Sequence, residues 1–417
     1  MPEFFNVLPP DDARALLLQH VRSIQETELL PTFEGLGRVT AEEIRSAEAL
    51  PSFPRSTMDG YAVRAADTFG AADVLPAFLT VTGEVRMGTA ADMPLKTGEA
   101  VIVHTGGMIP DTADAVVQIE HSQLVGTPNE SRFPYEIEVF RAVAPGQNVI
   151  QVGEDIAAGA TILPAGTCLR PQDIGGLLAV GVSDVMAIRR PRVAILATGD
   201  EVVSPASVLS PGQIRDINSY SIGGLCIGAG GIPVFGGIVP DDIESLREAA
   251  ARALAGADML VMSAGSSVSV RDMTVDVIAG LGRPGVLLHG VATRPGKPTI
   301  VGAIDGKPVL GLPGNPVSAM IQFNMFGIPA IYRLQGLQQD PFHRKISARL
   351  TQNIASESGR EDYIPAHLDE TAEGITATPI FGKSNLIYTL VHAEGLIKVP
   401  LNHSGLMAGD MVEVQLF

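Results

Sequence analysis

Between Arg192 and Leu334 short apolar runs of strand length alternate with longer stretches of helical periodicity, and this alternation restricts the fold more than any other feature of the chain. Arg192-Val-Ala-Ile-Leu-Ala197 reads as a buried strand ending at Thr198-Gly-Asp-Glu201. A helix follows from Asn218, a buried strand covers Pro233 to Ile238, and Asp241 with Glu244 three residues later has the spacing of a capping box at the next helix start. Met259-Leu-Val-Met-Ser263 is the next strand and Met273 to Leu281 the next helix. Asp305-Gly306 closes a hairpin between Pro298-Thr-Ile-Val and Pro308-Val-Leu-Gly, and a helix from Val317 to Leu334 completes the unit. Strands alternating with helices predict an α/β domain over 186–335 on a doubly wound, mostly parallel sheet. Its ligand crevice should lie beyond the carboxyl ends of the strands.

At 417 residues the chain exceeds one core, and the flanking patterns supply further domains. Residues 1–50 and 141–185 form an N-terminal linker and helical domain, with an amphipathic helix from Pro10 to Ile24 carrying Ala13, Leu16, Leu17, Val21 and Ile24 on one face. Residues 51–140 read as an inserted β domain, from runs such as Phe78-Leu-Thr-Val-Thr and Ala100-Val-Ile-Val-His. Residues 336–417 read as a small C-terminal β domain, so the chain is multidomain, α/β with additional β domains.

Charge excludes some partners. With 46 acidic against 29 basic residues and a net charge of −17, the surface repels nucleic acid and anionic membranes. The N-terminus has no basic segment leading into an apolar one, which argues against a signal peptide. Ile217 to Pro240 is uncharged, yet seven glycines and Pro233 between Ile222 and Val239 fit a helix and a strand better than a membrane span. Cys168 and Cys226 stand in no metal-ligand spacing and suit a reducing cytoplasm as two buried thiols.

Against that acidity, the stretch from Val286 to Ser318 sets Arg294, Lys297 and Lys307 against Asp305 alone. Arg294-Pro-Gly-Lys-Pro298 and Gly311-Leu-Pro-Gly-Asn-Pro-Val-Ser318 are loops stiffened by proline, whose glycines let backbone approach a ligand. Two cations and the Ser318 hydroxyl on such loops form a pre-shaped pocket for an oxyanion or phosphate. Thr198-Gly-Asp-Glu201 puts two acids at a strand end, Ser266 and Ser267 precede Asp272 in a Ser-rich loop, and Asp241 opens a helix. Asp241 and Asp272 could hold Mg²⁺ at one edge of the sheet, although an N-capping acid has the same pattern. Asp59 in Met58-Asp-Gly-Tyr61 is a candidate acid or a turn former, and Thr105 after a strand is a candidate hydroxyl donor.

Together these runs resemble the molybdopterin molybdenumtransferases, the family of bacterial MoeA and the gephyrin E domain. The resemblance rests on Ser56-Thr-Met-Asp-Gly-Tyr-Ala-Val63, Thr105-Gly, Gly153-Glu-Asp155, Thr198-Gly-Asp-Glu201, Pro295-Gly-Lys-Pro298, Gly311 to Ser318 and the tail from Gly382, in the family's order. It implies an elongated homodimer of four-domain subunits with a MogA-like third domain that binds molybdopterin. The active site then lies between one subunit's α/β domain and the other's N-terminal part. It also implies the reaction: molybdate and adenylylated molybdopterin give molybdenum cofactor and AMP, with Mg²⁺, possibly alongside a further cofactor-biosynthesis protein.

Carried onto this chain, the resemblance gives Asp59, Thr105, Glu201 and Asp272 catalytic roles and gives Asp241 and Asp272 the metal. Arg294, Lys297, Pro298, Pro313, Pro316, Ser318, Arg360, Ser384, Ser266 and Ser267 fall to the substrate and oxyanion pocket. Arg294 stands where the family carries Lys, and Ala264-Gly-Ser-Ser-Val-Ser269 replaces a glycine-richer loop, departures that open the pocket to tungstate. Two other readings share these residues: a non-catalytic scaffold of the same fold, and a Mg²⁺-dependent nucleotide pyrophosphohydrolase.

Overall fold

The computed structural model describes residues 7–126, 133–264, 268–337 and 345–417. They form two compact units, one of residues 1–42, 165–170 and 185–417, the other of residues 43–164 and 171–184.

The first unit opens with α1 (Pro10–Gln19) and then alternates as the sequence predicts: β1 (Arg192–Thr198), α2 (Asn218–Gly228), β2 (Ile232–Val239), α3 (Ile243–Ala255), β3 (Met259–Ala264), α4 (Val268–Leu281), β4 (Pro284–His289), β5 (Ile300–Ile304), β6 (Lys307–Pro313), α5 (Pro316–Gln322) and α6 (Ile328–Leu334). The strand order is β2-β1-β3-β6-β5-β4. It is parallel from β2 to β6 and ends in antiparallel β5 and β4. Asp305 (φ 50°) and Gly306 (φ 89°) make the left-handed turn that joins β5 to β6.

Pleating sends alternate side chains of each central strand to opposite layers. Val193 and Ile195 of β1 and Met259 and Val261 of β3 pack with Leu17, Ile222, Phe323 and Phe326. Their neighbours Ala194, Leu196, Leu260 and Met262 pack with Leu246, Leu254, Val277 and Ile278. Helices therefore cover both faces, and the ends of β1 and β3 and the loop after β6 meet at one edge of the sheet.

Five local expectations change. The strand around Phe235 is not buried: β2 is the outer strand, with one neighbour, and Phe235 is 52 % exposed. It stacks on Tyr220 at 5.3 Å. The first helix stops at Gln19, because Arg22 N–H donates to Gly306 and Ile24 N–H to Leu334, so Val21 and Ile24 reach the core from an extended segment. Helix α3 is capped by Asp242, whose carboxylate accepts the Ser245 N–H at 2.8 Å, and not by Asp241. The helix expected from Met273 begins at Val268, so Asp272 lies inside its second turn instead of before its start.

The expected continuous helix to Leu334 is interrupted by a π-turn over Phe323–Gly327. A side chain at Gly327 would come within 2.4 Å of the Phe323 ring, so the extra residue of the bulge lets Phe323 and Phe326 both bury against a bare backbone.

After α6 the chain forms β7 (Lys345–Leu350), β8 (Glu361–Thr371), β9 (Gly374–Pro379), β10 (Gly395–Val399) and β11 (Met411–Leu416). The order β8-β9-β7-β11-β10 returns on itself through β10 to β8, giving a small closed barrel. Thr293–Arg294, between β4 and β5, adds to it in parallel beside Glu361 and Asp362.

In the second unit a six-stranded sheet runs Ala115–Gln118, Gly60–Val63, Glu99–Val103, Ala77–Glu84, Tyr135–Val139 and Ser122–Leu124. A Cβ on Gly60 would stand 2.0 Å from the Val117 carbonyl oxygen, so only glycine admits this close strand approach. The unit also carries a helix over Pro171–Ala179.

Candidate active site

Two cavities open at the edge of the α/β sheet. The first, about 540 Å³, is lined by Arg294, Lys297 and Pro298 from one loop, Pro313 and Ser318 around the start of α5, and Arg360, Lys383 and Ser384 from the C-terminal barrel. Arg294, Lys297 and Lys383 are exposed, and none of their side chains donates a hydrogen bond to, or forms an ion pair with, a described residue. Arg360 differs, because its guanidinium donates to Asp362 at 2.9 Å and to Glu357 at 2.8 Å. Its charge is thus largely compensated, and it sets the wall's shape more than its potential. Three unpaired cations in one concavity of a chain with net charge −17 make a local positive field, strongest for a compact anion.

The backbone beneath these cations is tied down at each step. The Pro295 carbonyl accepts from Gln322 Nε2 at 2.9 Å, Gly296 accepts from the Thr299 hydroxyl at 2.7 Å, and Lys297 accepts from Val291 N–H at 2.9 Å. The Asn315 side chain donates to Ser384 Oγ at 2.9 Å, and Val317 N–H donates to the Ser384 carbonyl at 3.1 Å. The Tyr363 phenol, also in the wall, is pushed far up by burial and by the Glu361 carboxylate its hydroxyl donates to at 2.7 Å, so it stays protonated.

The second cavity, about 530 Å³, lies beyond the ends of β1 and β3, where the doubly wound topology predicts a crevice. Thr198, Glu201, Asp216, Asn218, Ser263 and Asn315 are among its lining residues. Asn218, at the start of α2, donates through Nδ2 to Ser263 Oγ and to the Gly314 carbonyl, both at 2.8 Å, and so joins α2 to the end of β3 and to the loop after β6. Asp216 accepts the Ser219 N–H at 3.1 Å, capping the first turn of α2. Pro316, expected in the oxyanion pocket, lines this second cavity instead, since the first turn of α5 is the wall between the two. Asn315 belongs to both walls.

Asp241 follows β2 and is freed from capping by Asp242. Its Oδ1 accepts the Thr198 hydroxyl at 2.9 Å, and its N–H donates to Asp200 at 3.2 Å. Asp272 is exposed on α4. Ser266 and Ser267 lie outside the described residues.

In the second unit Asp59 and Thr105 meet. Asp59 Oδ1 accepts the Thr105 N–H at 2.8 Å and its hydroxyl at 3.1 Å. The carboxylate is a ligand of that loop and not a turn former, since Gly60 is required by strand contact. The Thr105 N–H, then its hydroxyl, hold the Asp59 pKa below the ordinary 3.8. The depressed value means the bonds to ionised Asp59 persist above that range and are lost only as pH falls through the folded pKa. In Thr105→Val the carboxyl carbon of Asp59, followed by NMR, should titrate nearer 3.8 than in the wild type; a wild-type midpoint at or above 3.8 would contradict the contact.

Sequence reasoning missed Lys383, Asn315, Asn218 and Gln322. Lys383 was legible, being adjacent to Ser384 and a cation beside an anion-pocket residue. Gln322 was hidden, because a polar residue within a helical pattern reads as a solvent-facing position, whereas it is fully buried.

Comparison with known proteins identifies the family. Residues 8–181 match the family described as "MoeA N-terminal region (domain I and II)", 194–333 "Probable molybdopterin binding domain" and 347–417 "MoeA C-terminal region (domain IV)". The chain is 31 % identical to the molybdopterin molybdenumtransferase of Haemophilus influenzae, covering 99 % of each. It is 33 % identical to that of Nostoc, covering 99 % of this chain and 92 % of the other. The crystal structure of the molybdopterin biosynthesis MoeA protein from Pyrococcus horikoshii superposes with a TM-score of 0.84 at 33 % identity, covering 99 % of this chain and 100 % of that one. No described helix is long and apolar enough to cross a membrane. With three family regions matched in order and relatives aligned nearly end to end, the chain belongs to the MoeA family of molybdenum cofactor biosynthesis proteins.

Proposed function

We propose that this chain is a cytoplasmic molybdopterin molybdenumtransferase that takes an oxyanion and adenylylated molybdopterin in its two adjoining cavities. The observation that carries the reading is the cavity lined by Arg294, Lys297 and Lys383, whose side chains form no ion pair with the described residues, and which shares Asn315 with the crevice of the α/β sheet. Molybdate is a compact dianion, and fixed cations in a shaped cleft stabilise such charge without reorganising when it binds. The crevice, similar in volume and lined by hydrogen-bonding side chains, suits the pterin nucleotide. Holding both reactants against one wall replaces a bimolecular encounter with an oriented one.

Mg²⁺ suits the chemistry of Asp241, which lies at the sheet edge. Asp241 is oriented by Thr198, its second carboxylate oxygen takes no bond from the described residues, and a Mg²⁺ site commonly needs one or two carboxylates beside substrate phosphate and water. Asp241 and Asp272 would hold the ion, which would supply positive charge to balance that of the pyrophosphate. Glu201, in the crevice wall, orients the nucleotide. Asp59 and Thr105 act in a homodimer, in which one subunit's N-terminal part meets the partner's α/β part. Arg294 presents a planar fork where a lysine would present a point charge, so the pocket accepts tungstate as well as molybdate.

The test is direct. Purified chain with Mg²⁺ and adenylylated molybdopterin should release AMP on addition of molybdate, with one cofactor formed per AMP. No release overturns the reading, and release that proceeds equally without molybdate identifies a pyrophosphohydrolase instead.

A further inference from the structure

Gln322 is fully buried at the end of α5, on the core side of the loop that carries Arg294 and Lys297. A primary amide in that position is costly unless both its ends are bonded. Here only one is: Nε2 donates to the Pro295 carbonyl at 2.9 Å, while Oε1 is buried with no partner among the described residues. An apolar side chain of the same length would fill the space without that orphaned oxygen, so packing alone does not explain the residue. The contact is also intimate. A Cβ on Gly296 would stand 2.4 Å from Gln322 Nε2, so the loop between the two cations lies flat on the amide.

We propose that Gln322 is a positioning residue for the oxyanion pocket, fixing the Arg294–Lys297 loop through Pro295 so that both cations face one anion. This rests on the oxyanion reading above. Neighbouring carbonyls are tied by Thr299 and by the Val291 N–H, but Gln322 is the tie that comes from α5, the helix that also brings Ser318 to the same cavity. It therefore sets the distance between the two loops that make the pocket.

Calorimetry with molybdate on the wild type, Gln322→Met and Gln322→Glu tests the assignment. Met keeps the length and removes both the donor and the orphaned oxygen; Glu keeps the shape and sets an oxygen against the Pro295 carbonyl. Molybdate should bind either folded variant about tenfold or more weakly, the range seen when an outer hydrogen-bond partner of a ligand-holding group is lost. AMP binding and the thermal midpoint of Gln322→Met should stay at wild-type values, which a merely structural role would not predict. Amide exchange over residues 293–299 should quicken in the same variant. If either folded variant binds molybdate as the wild type does, the positioning role is wrong. If the wild type itself binds no molybdate, the oxyanion reading fails first and this inference with it.

Discussion

Lys297→Ala is expected to raise the molybdate dissociation constant by about 30-fold or more, and Arg294→Ala to do the same. Removing one partner of a charge pair in a built site costs ~2–5 kcal/mol, and each 1.4 kcal/mol is tenfold in affinity. Neither cation has another partner among the described residues, so neither is needed to balance an acid, and the fold should tolerate both changes. The double variant should lose less than the sum of the two, because both act on one anion across one cavity. Arg360→Ala should behave differently. It strips Asp362, which is 3 % exposed, of its partner and should lower stability along with binding. Calorimetry paired with thermal melts separates the cases. Unchanged molybdate affinity in Lys297→Ala would remove the cavity from the reaction.

The second large effect is on stability. Phe323→Ala should destabilise the α/β unit by ~3–5 kcal/mol, the usual cost of deleting a fully buried aromatic ring. Phe323 begins the π-turn and its ring fills the space left by Gly327, so truncation empties both sides of the bulge. Because the turn sits directly after Gln322, the loss should also reach the oxyanion loop, and molybdate affinity should fall with stability. Urea unfolding monitored by circular dichroism reads the first effect; a loss below about 1 kcal/mol would show that the bulge collapses onto the cavity.

What the sequence made legible follows from the range of the physics involved. The alternation from Arg192 to Leu334 gave the order of strands and helices, because buried strands on both sides of a sheet are apolar at every position. The cation pocket was visible for a similar reason: proline and glycine fix loop shape locally, and charge stands out in an acidic chain. The errors were tertiary. Asp241 and Asp242 are equivalent as capping acids in sequence, and only the path of the chain after β2 selects Asp242. The strand at Phe235 looked buried because it is apolar, yet burial depends on having neighbours on both sides, and β2 is outermost. Pro316 and Ser318 are two residues apart on one motif, but a helix turn separates them into different cavities. Lys383 and Asn315 acquire meaning only when the C-terminal barrel closes against the α/β sheet, which no local pattern encodes.

The carboxamide of Asn315 stands in the wall of both cavities and is bonded to the far side of one of them through Ser384. A shared wall offers a route for coupling the two occupancies, and any such coupling is reciprocal. Whatever factor a guest in one cavity imposes on affinity in the other, the second guest must impose on the first. A side chain that either guest can shift or brace thus makes the order of arrival a matter of concentrations, while the final ternary state is the same by either route.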